Sequence, residues 1–369
     1  MKLASIIGTR PQFVKAASLS RFLKIFSDSS MKNRIRVKEI IIHTGQHYEE
    51  KMTEPFFREM NIPNPDYYLN VRLSSPIKQI ARIMIKIEEL LVYEKPDFVL
   101  IYGDTNSSIA GSLAAVKQNI PIAHIEAGLR SYDRSMPEEI NRIVIDSVST
   151  LFFCPTVTSV ENLKREGITR NVFLVGDIMW EAFQNYQDQA KHTSRIIEQL
   201  KINGKAYLLC TIHRASNTDQ LENLKNIMIG LTRSKEPIIL PLHPRTKKMI
   251  ERNQRLRKYM GENIQVIEPV GYFDMLVLEQ NAKKIITDSG GVQKEAYFQK
   301  VPCITLRENT EWVETVEQGV NRLVGVDPVK IIEAIHQFQP NEFQFDHSLF
   351  GDGHTSAKIV EILGNRMNQ

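Results

Sequence analysis

Residues 97–142 read DFVLIYGDTNSSIAGSLAAVKQNIPIAHIEAGLRSYDRSMPEEINR, and this stretch decides the fold. Two apolar runs, Phe98 to Tyr102 and Pro121 to Ile125, have the length and composition of buried strands. Each ends in a carboxylate among small or turn residues: Gly103-Asp104-Thr105-Asn106 and Glu126-Ala127-Gly128. Ser107 to Gln118 between them is Ala-rich and helical. A strand–helix–strand unit of this kind builds a parallel sheet, whose strand carboxyl ends open onto the ligand crevice. Asp104 and Glu126 are therefore expected side by side at that rim. Pro137 fits the first position of a following helix, with Glu138 and Glu139 in its first turn.

Carboxylates gathered at one rim suit acid–base chemistry, because like charges push one another's pKa values apart. Glu138 taken alone reads first as a stabilising residue, at a helix N-terminus and four residues before Arg142. Asp104 and Glu126 read as functional, because each interrupts an apolar strand at the same end.

Outward from this stretch the same alternation continues. Leu3 to Ile7 reads as a strand, followed by Gly8-Thr9-Arg10-Pro11-Gln12 and a helix from Phe13 to Phe26. A glycine turn, a basic residue and a helix N-terminus suit an anion, with Lys15 one turn later. The glycine spacing matches neither common nucleotide fingerprint. Lys38 to His43 is a second strand whose exit, Thr44 to Tyr48, is dense in polar groups, and a short helix is expected near Glu54 to Met60. Pro63 to Ser75 is expected to be irregular and superficial. Ile77 to Tyr93 is amphipathic. Leu151 to Cys154 and Val172 to Val175 are further strands.

The domain boundary is expected after Gly176. The second series of strands is Tyr207 to Ile212, Ile238 to Leu242, Ile264 to Ile267, Lys284 to Thr287 and Cys303 to Leu306. The expectation is an α/β chain of two doubly wound domains facing across a cleft, 1–176 and 177–355, with a C-terminal helix in 356–369 returning to the first. At strand ends of the second half stand His213-Arg214, His243-Pro244-Arg245 and Asp288-Ser289-Gly290-Gly291, and Gly271-Tyr272-Phe273 opens a helix. Ser289, Gly290 and Gly291 at a helix start offer N–H groups to a diphosphate. Glu295, within two turns, is placed to accept two ribose hydroxyls. His213 is the histidine with strand-end support; His43, His47 and His124 read as packing or polar-network residues.

The chain has 369 residues, 42% hydrophobic and 24% charged, with a formal charge of +4, which fits two soluble domains. The small, scattered positive charge argues against a nucleic-acid partner. No apolar run approaches a membrane span. Cys154, Cys210 and Cys303 lie in strand-like runs at spacings that suit no metal site, so buried thiols in a reducing, cytoplasmic setting are expected.

The segments GTRPQFVK, HTGQHYE, YGDTNS, HIEAGLRS, MPEEINR, FCPT, TIHR, LHPRT, EPVGY, TDSGGVQKEA and GDGHTS occur in this order over nearly the full length. In them the chain resembles the non-hydrolysing UDP-N-acetylglucosamine 2-epimerases. The resemblance implies a GT-B fold, a homodimer, and no metal or redox cofactor. It implies inversion of the acetamido-bearing carbon of a UDP-sugar: a proton is removed, UDP leaves, and UDP adds back with protonation on the opposite face. Its place would be surface-polysaccharide synthesis. Carried onto this sequence, the acid–base carboxylates are Asp104, Glu126 and Glu138, and His213 stands beside the diphosphate. Arg10 and Lys15 face the phosphates, Phe273 lies near the uracil, Ser289, Gly290 and Gly291 bind the diphosphate, and Glu295 takes the ribose. Gln46, His243 and Arg307 complete the substrate-binding set.

Thr310-Glu311-Trp312-Val313-Glu314 departs from the Thr-Glu-Arg-Pro-Glu frequent in the family. With GTRPQ and FCPT it looks like a branch acting on UDP-diacetamido-uronates. Some bacterial members are activated by a second UDP-N-acetylglucosamine, held by two glutamines and an arginine. Here Gln46 and His243 match that site, whereas Glu49 and Ala215 stand at the second glutamine and the arginine, which implies no activation. The alternatives are a GT-B glycosyltransferase, a non-catalytic UDP-sugar-binding regulator and a hydrolysing epimerase.

Overall fold

The computed structural model describes residues 1–28, 36–46, 56–73, 75–202, 206–340 and 346–367. Contacts divide the chain into a first unit, Met1–Tyr186 with Asp346–Gln369, and a second, Gln187–Phe345.

Among the described residues the first unit carries a seven-stranded sheet. Its strands are β1 (Lys2–Ile7), β2 (Lys38–His43), β3 (Tyr67–Tyr68), β4 (Phe98–Tyr102), β5 (Ile122–Ile125), β6 (Leu151–Cys154) and β7 (Val172–Leu174). Their spatial order is β3-β2-β1-β4-β5-β6-β7, with every pairing parallel. The crossovers are helices: α1 (Arg10–Asp28), α2 (Pro76–Glu94), α3 (Asn106–Lys117), α4 (Pro137–Val148) and α5 (Val157–Arg165). Order reverses between β1 and β4, the switch point at which a doubly wound sheet opens a crevice at its carboxyl edge.

The helix α3 shows why its sequence is poor in large residues. A Cβ on Gly111 would lie 2.5 Å from Ile6 Cδ1 and 3.0 Å from Ile101 Cδ1. Buried Ala110, Ala114 and Ala115 lie on the same helix, so it can sit close to β1 and β4. On α2, Ser75 caps the N-terminus, Ile83, Ile87 and Leu91 face the core, and Lys95 ends the helix in the left-handed region at φ +47°.

The second unit carries a six-stranded parallel sheet: β8 (Leu208–Thr211), β9 (Ile238–Pro241), β10 (Ile264–Ile267), β11 (Ile285–Thr287), β12 (Cys303–Thr305) and β13 (Asn321–Leu323). Its order is β10-β9-β8-β11-β12-β13. Its main helices are α6 (Leu221–Arg233), α7 (Pro244–Arg252), α8 (Tyr272–Asn281), α9 (Gly290–Phe298) and α10 (Pro328–Gln337). The last helix, α11 (Thr355–Met367), belongs to the first unit, where Ser356 N–H and Oγ both donate to Glu181 and Thr355 Oγ1 donates to the Val175 carbonyl.

One expectation is corrected. The segment expected to be irregular and superficial contains β3, paired with the outer edge of β2, and its Leu69 and Val71 are buried. The Leu69 and Val71 N–H groups donate to the His43 and Thr44 carbonyls. These carbonyls need partners beyond β2, and a short run of residues supplies them. Residues 56–59 are helical. His47, Tyr48, Glu49, Glu54 and Ser74 lie outside the described residues. The three cysteines are free and buried, and burial pushes the Cys154 and Cys303 thiols up to about 12. Among the described residues no helix is long and apolar enough to cross a membrane.

Candidate active site

In the first unit the polar groups gather at the carboxyl ends of β1, β2, β4 and β5. The register pairs Tyr102 with Ile125, so the turns holding Asp104 and Glu126 leave adjacent strands together. Glu126 has φ +74°, a left-handed backbone on a non-glycine residue. Its N–H and that of Ala127 both donate to the Phe153 carbonyl, at 3.1 and 3.2 Å, which anchors the bend. Such a conformation costs about 1–3 kcal/mol and persists where surrounding contacts impose it. The Glu126 carboxylate accepts from Lys15, and both side chains are buried. Gly103 leaves room for this pair: a Cβ there would stand 3.1 Å from both Glu126 Oε2 and Lys15 Nζ.

Asp104 is held from α4. Arg142 Nε and an Nη each lie 2.7 Å from Asp104 Oδ2, and Asn141 donates to the Asp104 carbonyl at 2.8 Å. The same Arg142 reaches Glu139 at 2.7 Å. Glu139 in turn accepts from Ser131 N–H and Oγ and from Tyr132 N–H, each at 2.9 Å. The Arg142 partners shown are thus Glu139 and Asp104, not Glu138. Glu138 is half-buried, with no side-chain hydrogen bond or ion pair to another described residue.

Behind the two turns, His124 is fully buried, with Nδ1 at 2.6 Å from Asp146 and Nε2 at 3.1 Å from the Gly103 carbonyl. Asp146 also accepts from Arg130 at 2.7 Å and from Gly128 N–H at 3.2 Å. Burial alone would raise the Asp146 carboxyl; the His124 and Arg130 contacts override it and hold it below its usual value. His43 is a packing residue, stacked on Phe13 at 5.2 Å, and burial lowers it to about 4.

The β1–α1 turn offers less backbone than its glycine suggests. The Gln12 side-chain carbonyl takes the Gly8 and Thr9 N–H groups, at 2.9 and 3.1 Å, while its amide donates to the Tyr102 carbonyl and Ser108. The turn therefore presents side chains. Arg10 lies over the Phe56 ring, 4.4 Å from its centroid. Gln46 accepts from Ser107 N–H at 2.9 Å and Oγ at 2.7 Å, at the start of α3.

In the second unit the organising residue is Asp288, fully buried after β11. It accepts from His213 N–H at 3.1 Å, Arg214 N–H at 3.0 Å and Asn217 at 3.1 Å. His213 Nδ1 lies 3.4 Å from it, and the half-exposed ring stands 5.3 Å from that of His243. His243 caps α7, accepting from Arg245 N–H. Ser289 caps α9, accepting from Val292 N–H at 3.4 Å. A Cβ on Gly290 would meet Glu311 Oε1 at 2.3 Å, so any larger residue there must push that carboxylate aside. Glu311 bonds Arg307 at 2.7 Å and lies 3.8 Å from Arg214. Trp312 is buried next to Gly290, with Lys294 Nζ 4.1 Å from its ring centroid. Phe273 is buried near the start of α8, and Glu295 is buried on α9.

Sequence reasoning assigned no role to Gln12, Glu139, Asn217 or Asp288, and gave Arg142 only as a partner of Glu138. Only Asp288 carried a signal, as a strand-end acid directly before the Ser-Gly-Gly turn.

A family model described as UDP-N-acetylglucosamine 2-epimerase matches residues 29–364. A Methanococcus maripaludis protein named as a UDP-N-acetylglucosamine 2-epimerase homolog is 51% identical over 99% of this chain and 100% of its own length. The UDP-2,3-diacetamido-2,3-dideoxy-D-glucuronate 2-epimerase of Pseudomonas aeruginosa is 42% identical over 98% of this chain and 99% of its own. The crystal structure of Methanocaldococcus jannaschii UDP-GlcNAc 2-epimerase in complex with UDP-GlcNAc and UDP superposes with a TM-score of 0.92 at 42% identity, covering 99% of this chain and all of that one.

Proposed function

Because the chain belongs to the UDP-N-acetylglucosamine 2-epimerase family, we propose that its first unit carries the proton transfers and its second the nucleotide of a UDP-N-acetylhexosamine. The enzyme is an isomerase. The proton on the acetamido-bearing carbon is weakly acidic, so removal needs a positioned base and stabilisation of the departing UDP. Asp104, Glu126 and Glu138 share the removal and return of that proton. The observation that carries this reading is Glu126: a carboxylate on a left-handed backbone, fixed by Phe153 and Lys15 at the end of β5. Strain of this kind clusters at functional sites.

In the second unit, the Gly290 and Gly291 N–H groups and Ser289 receive the diphosphate, with His213, Arg214 and Arg307 supplying donors and charge. Phe273 packs near the uracil, and Glu295 accepts the ribose hydroxyls. Arg10 and Lys15 contribute positive charge from the first unit. Incubation with UDP-N-acetylglucosamine alone in deuterated water tests the reading. Deuterium at the inverted carbon, without acceptor and without free sugar, is the expected result. Strict need for an acceptor, or release of free sugar, would refute it.

A second substrate reading has its own observation. Trp312 and Lys294 form a buried cation–aromatic pair beside Gly290, which supports a UDP-diacetamido-uronate as the preferred sugar. The ratio of kcat/KM for the two sugars decides between them. We also place the enzyme in the cytoplasm as a homodimer that supplies surface-polysaccharide precursors. Exposed Ile77, Ile85 and Val92 along α2 support self-association, which sedimentation tests.

A further inference from the structure

Glu279 takes no part in the chemistry above, yet it is a fully buried acid in the last turn of α8. Among the described residues neither of its carboxyl oxygens meets a hydrogen-bond donor. The group they face is a second carboxyl, that of Glu295 on α9. Among the described titratable groups near Glu279 are the Tyr207 phenol, which donates to the Leu278 carbonyl at 2.6 Å, and the Cys303 thiol. Burial pushes both of these upward and keeps them neutral, and neither group can carry a positive charge.

Two ionised carboxylates in contact are both acceptors and repel, so the pair holds a proton. Its location follows from the helices. Glu279 stands near the C-terminal, negative end of α8, where a neutral acid is favoured, and it is the more deeply buried of the two, which favours the neutral form there. Burial and the neighbouring Glu295 carboxylate both raise Glu279 well above the usual carboxyl range.

We propose that Glu279 is a positioning residue: a neutral carboxyl that donates a hydrogen bond to Glu295 and fixes the orientation in which Glu295 accepts both ribose hydroxyls of the nucleotide. This rests on the ribose role assigned to Glu295. A carboxylate oxygen has two lone-pair sites, so one bond from Glu279 leaves capacity for the diol. The proton also removes a second negative charge from behind the nucleotide.

The test is calorimetric binding of UDP and of 2′,3′-dideoxyuridine diphosphate to wild type, Glu279→Gln and Glu279→Leu. Wild type should favour UDP by about tenfold or more, the scale of hydrogen bonds to a charged group. Glu279→Gln, whose amide donates in place of the acid, should keep that preference. Glu279→Leu should bring the ratio towards one while its affinity for inorganic diphosphate stays unchanged. A folded Glu279→Leu that keeps the wild-type ratio overturns the proposal. A wild-type ratio of one instead removes the ribose role of Glu295, and the proposal with it. Infrared difference spectra of wild type against Glu279→Gln give a readout that does not need the leucine variant to fold. A neutral-acid carbonyl band at neutral pH, lost in the glutamine variant, is expected; its absence from wild type overturns the proposal.

Discussion

The acids of the first unit and Glu279 of the second are handled in opposite ways. In the first, Glu126 is matched by Lys15, Asp104 and Glu139 by Arg142, and Asp146 by His124 and Arg130. In the second, Glu279 is matched by another acid. Carboxylates that exchange protons with a substrate must be fixed and charge-balanced before it arrives, and cations from other elements do both. A carboxylate that only accepts hydroxyls needs orientation, which a neutral donor provides without cancelling its charge. Changes in the first unit should therefore strike turnover or folding, and changes in the second should strike binding.

The largest expected effect probes the balance itself. Asp146→Ala leaves Arg130, His124 and the Gly128 N–H without their buried partner. Removing one member of a buried charge cluster costs about 3–5 kcal/mol. The native Asp146 carboxyl is held below its unfolded value, so its contribution is present above about pH 4 and is lost as pH falls through the native value. Urea melts should show the wild-type advantage at neutral pH and its closing in acid. A variant as stable as wild type at neutral pH would mean that the cluster is not a charge-balanced unit.

Next come two changes that set the units against each other. Asp104→Asn or Glu126→Gln should lower kcat by about 10²-fold or more, the usual scale for a positioned acid or base, with UDP affinity kept. Gly290→Ala should do the reverse. Its Cβ must displace Glu311, found 2.3 Å away, and the Arg307 that Glu311 holds. A rise of about tenfold in the UDP dissociation constant, with a smaller change in kcat, is expected on loss of one charged contact. Equal effects on kcat and binding from both kinds of variant would dissolve the contrast.

A smaller effect comes from the protonated acid of the second unit. Native Glu279 keeps a proton that the unfolded chain releases above about pH 4.3, so its contribution to stability falls as pH rises, by at most about 1.4 kcal/mol per unit. Glu279→Gln removes this slope. The melting temperature of the variant relative to wild type should climb between about pH 5 and pH 8; a constant difference would place the proton elsewhere.

What the sequence discloses and hides follows the same physics. Strands buried on both faces are apolar runs, so β1, β4, β5, β6 and β8 can be read directly, as can the acids that break them at one end. Strands of two or three residues such as β3 and β13 carry too little pattern, and β13 is partly polar. Partner choice is hidden because it is set by topology: Lys15 meets Glu126 and Arg142 meets Asp104 from distant positions in the chain. Local spacing favoured Glu138 as the Arg142 partner, whereas the adjacent Glu139 makes that bond, three residues away on the helix. His124 was legible as a network residue, but its Asp146 partner was not.

The last and smallest effect concerns activation by a second nucleotide sugar. In the first unit the Gln46 side-chain carbonyl is engaged by Ser107 N–H and Oγ, an arrangement internal to the β2 and α3 ends. In the second unit Ala215 opens a short helix after Arg214, and its methyl group supplies no phosphate donor. Arg214 itself is drawn towards Glu311, at 3.8 Å, while its backbone N–H is fixed by Asp288. A backbone shift of Arg214 into that role would break this bond, so Arg214 is no ready replacement for the charge that Ala215 lacks. A bidentate contact to a phosphate is a strong one, and its loss weakens an effector by about tenfold or more. Initial rates should therefore follow a hyperbola, and UDP-N-acetylglucosamine added to the reverse reaction should compete or leave the rate unchanged. In Ala215→Arg a restored donor should make the same addition raise the rate. Sigmoidal rates in wild type would show instead that an effector is held by groups other than these.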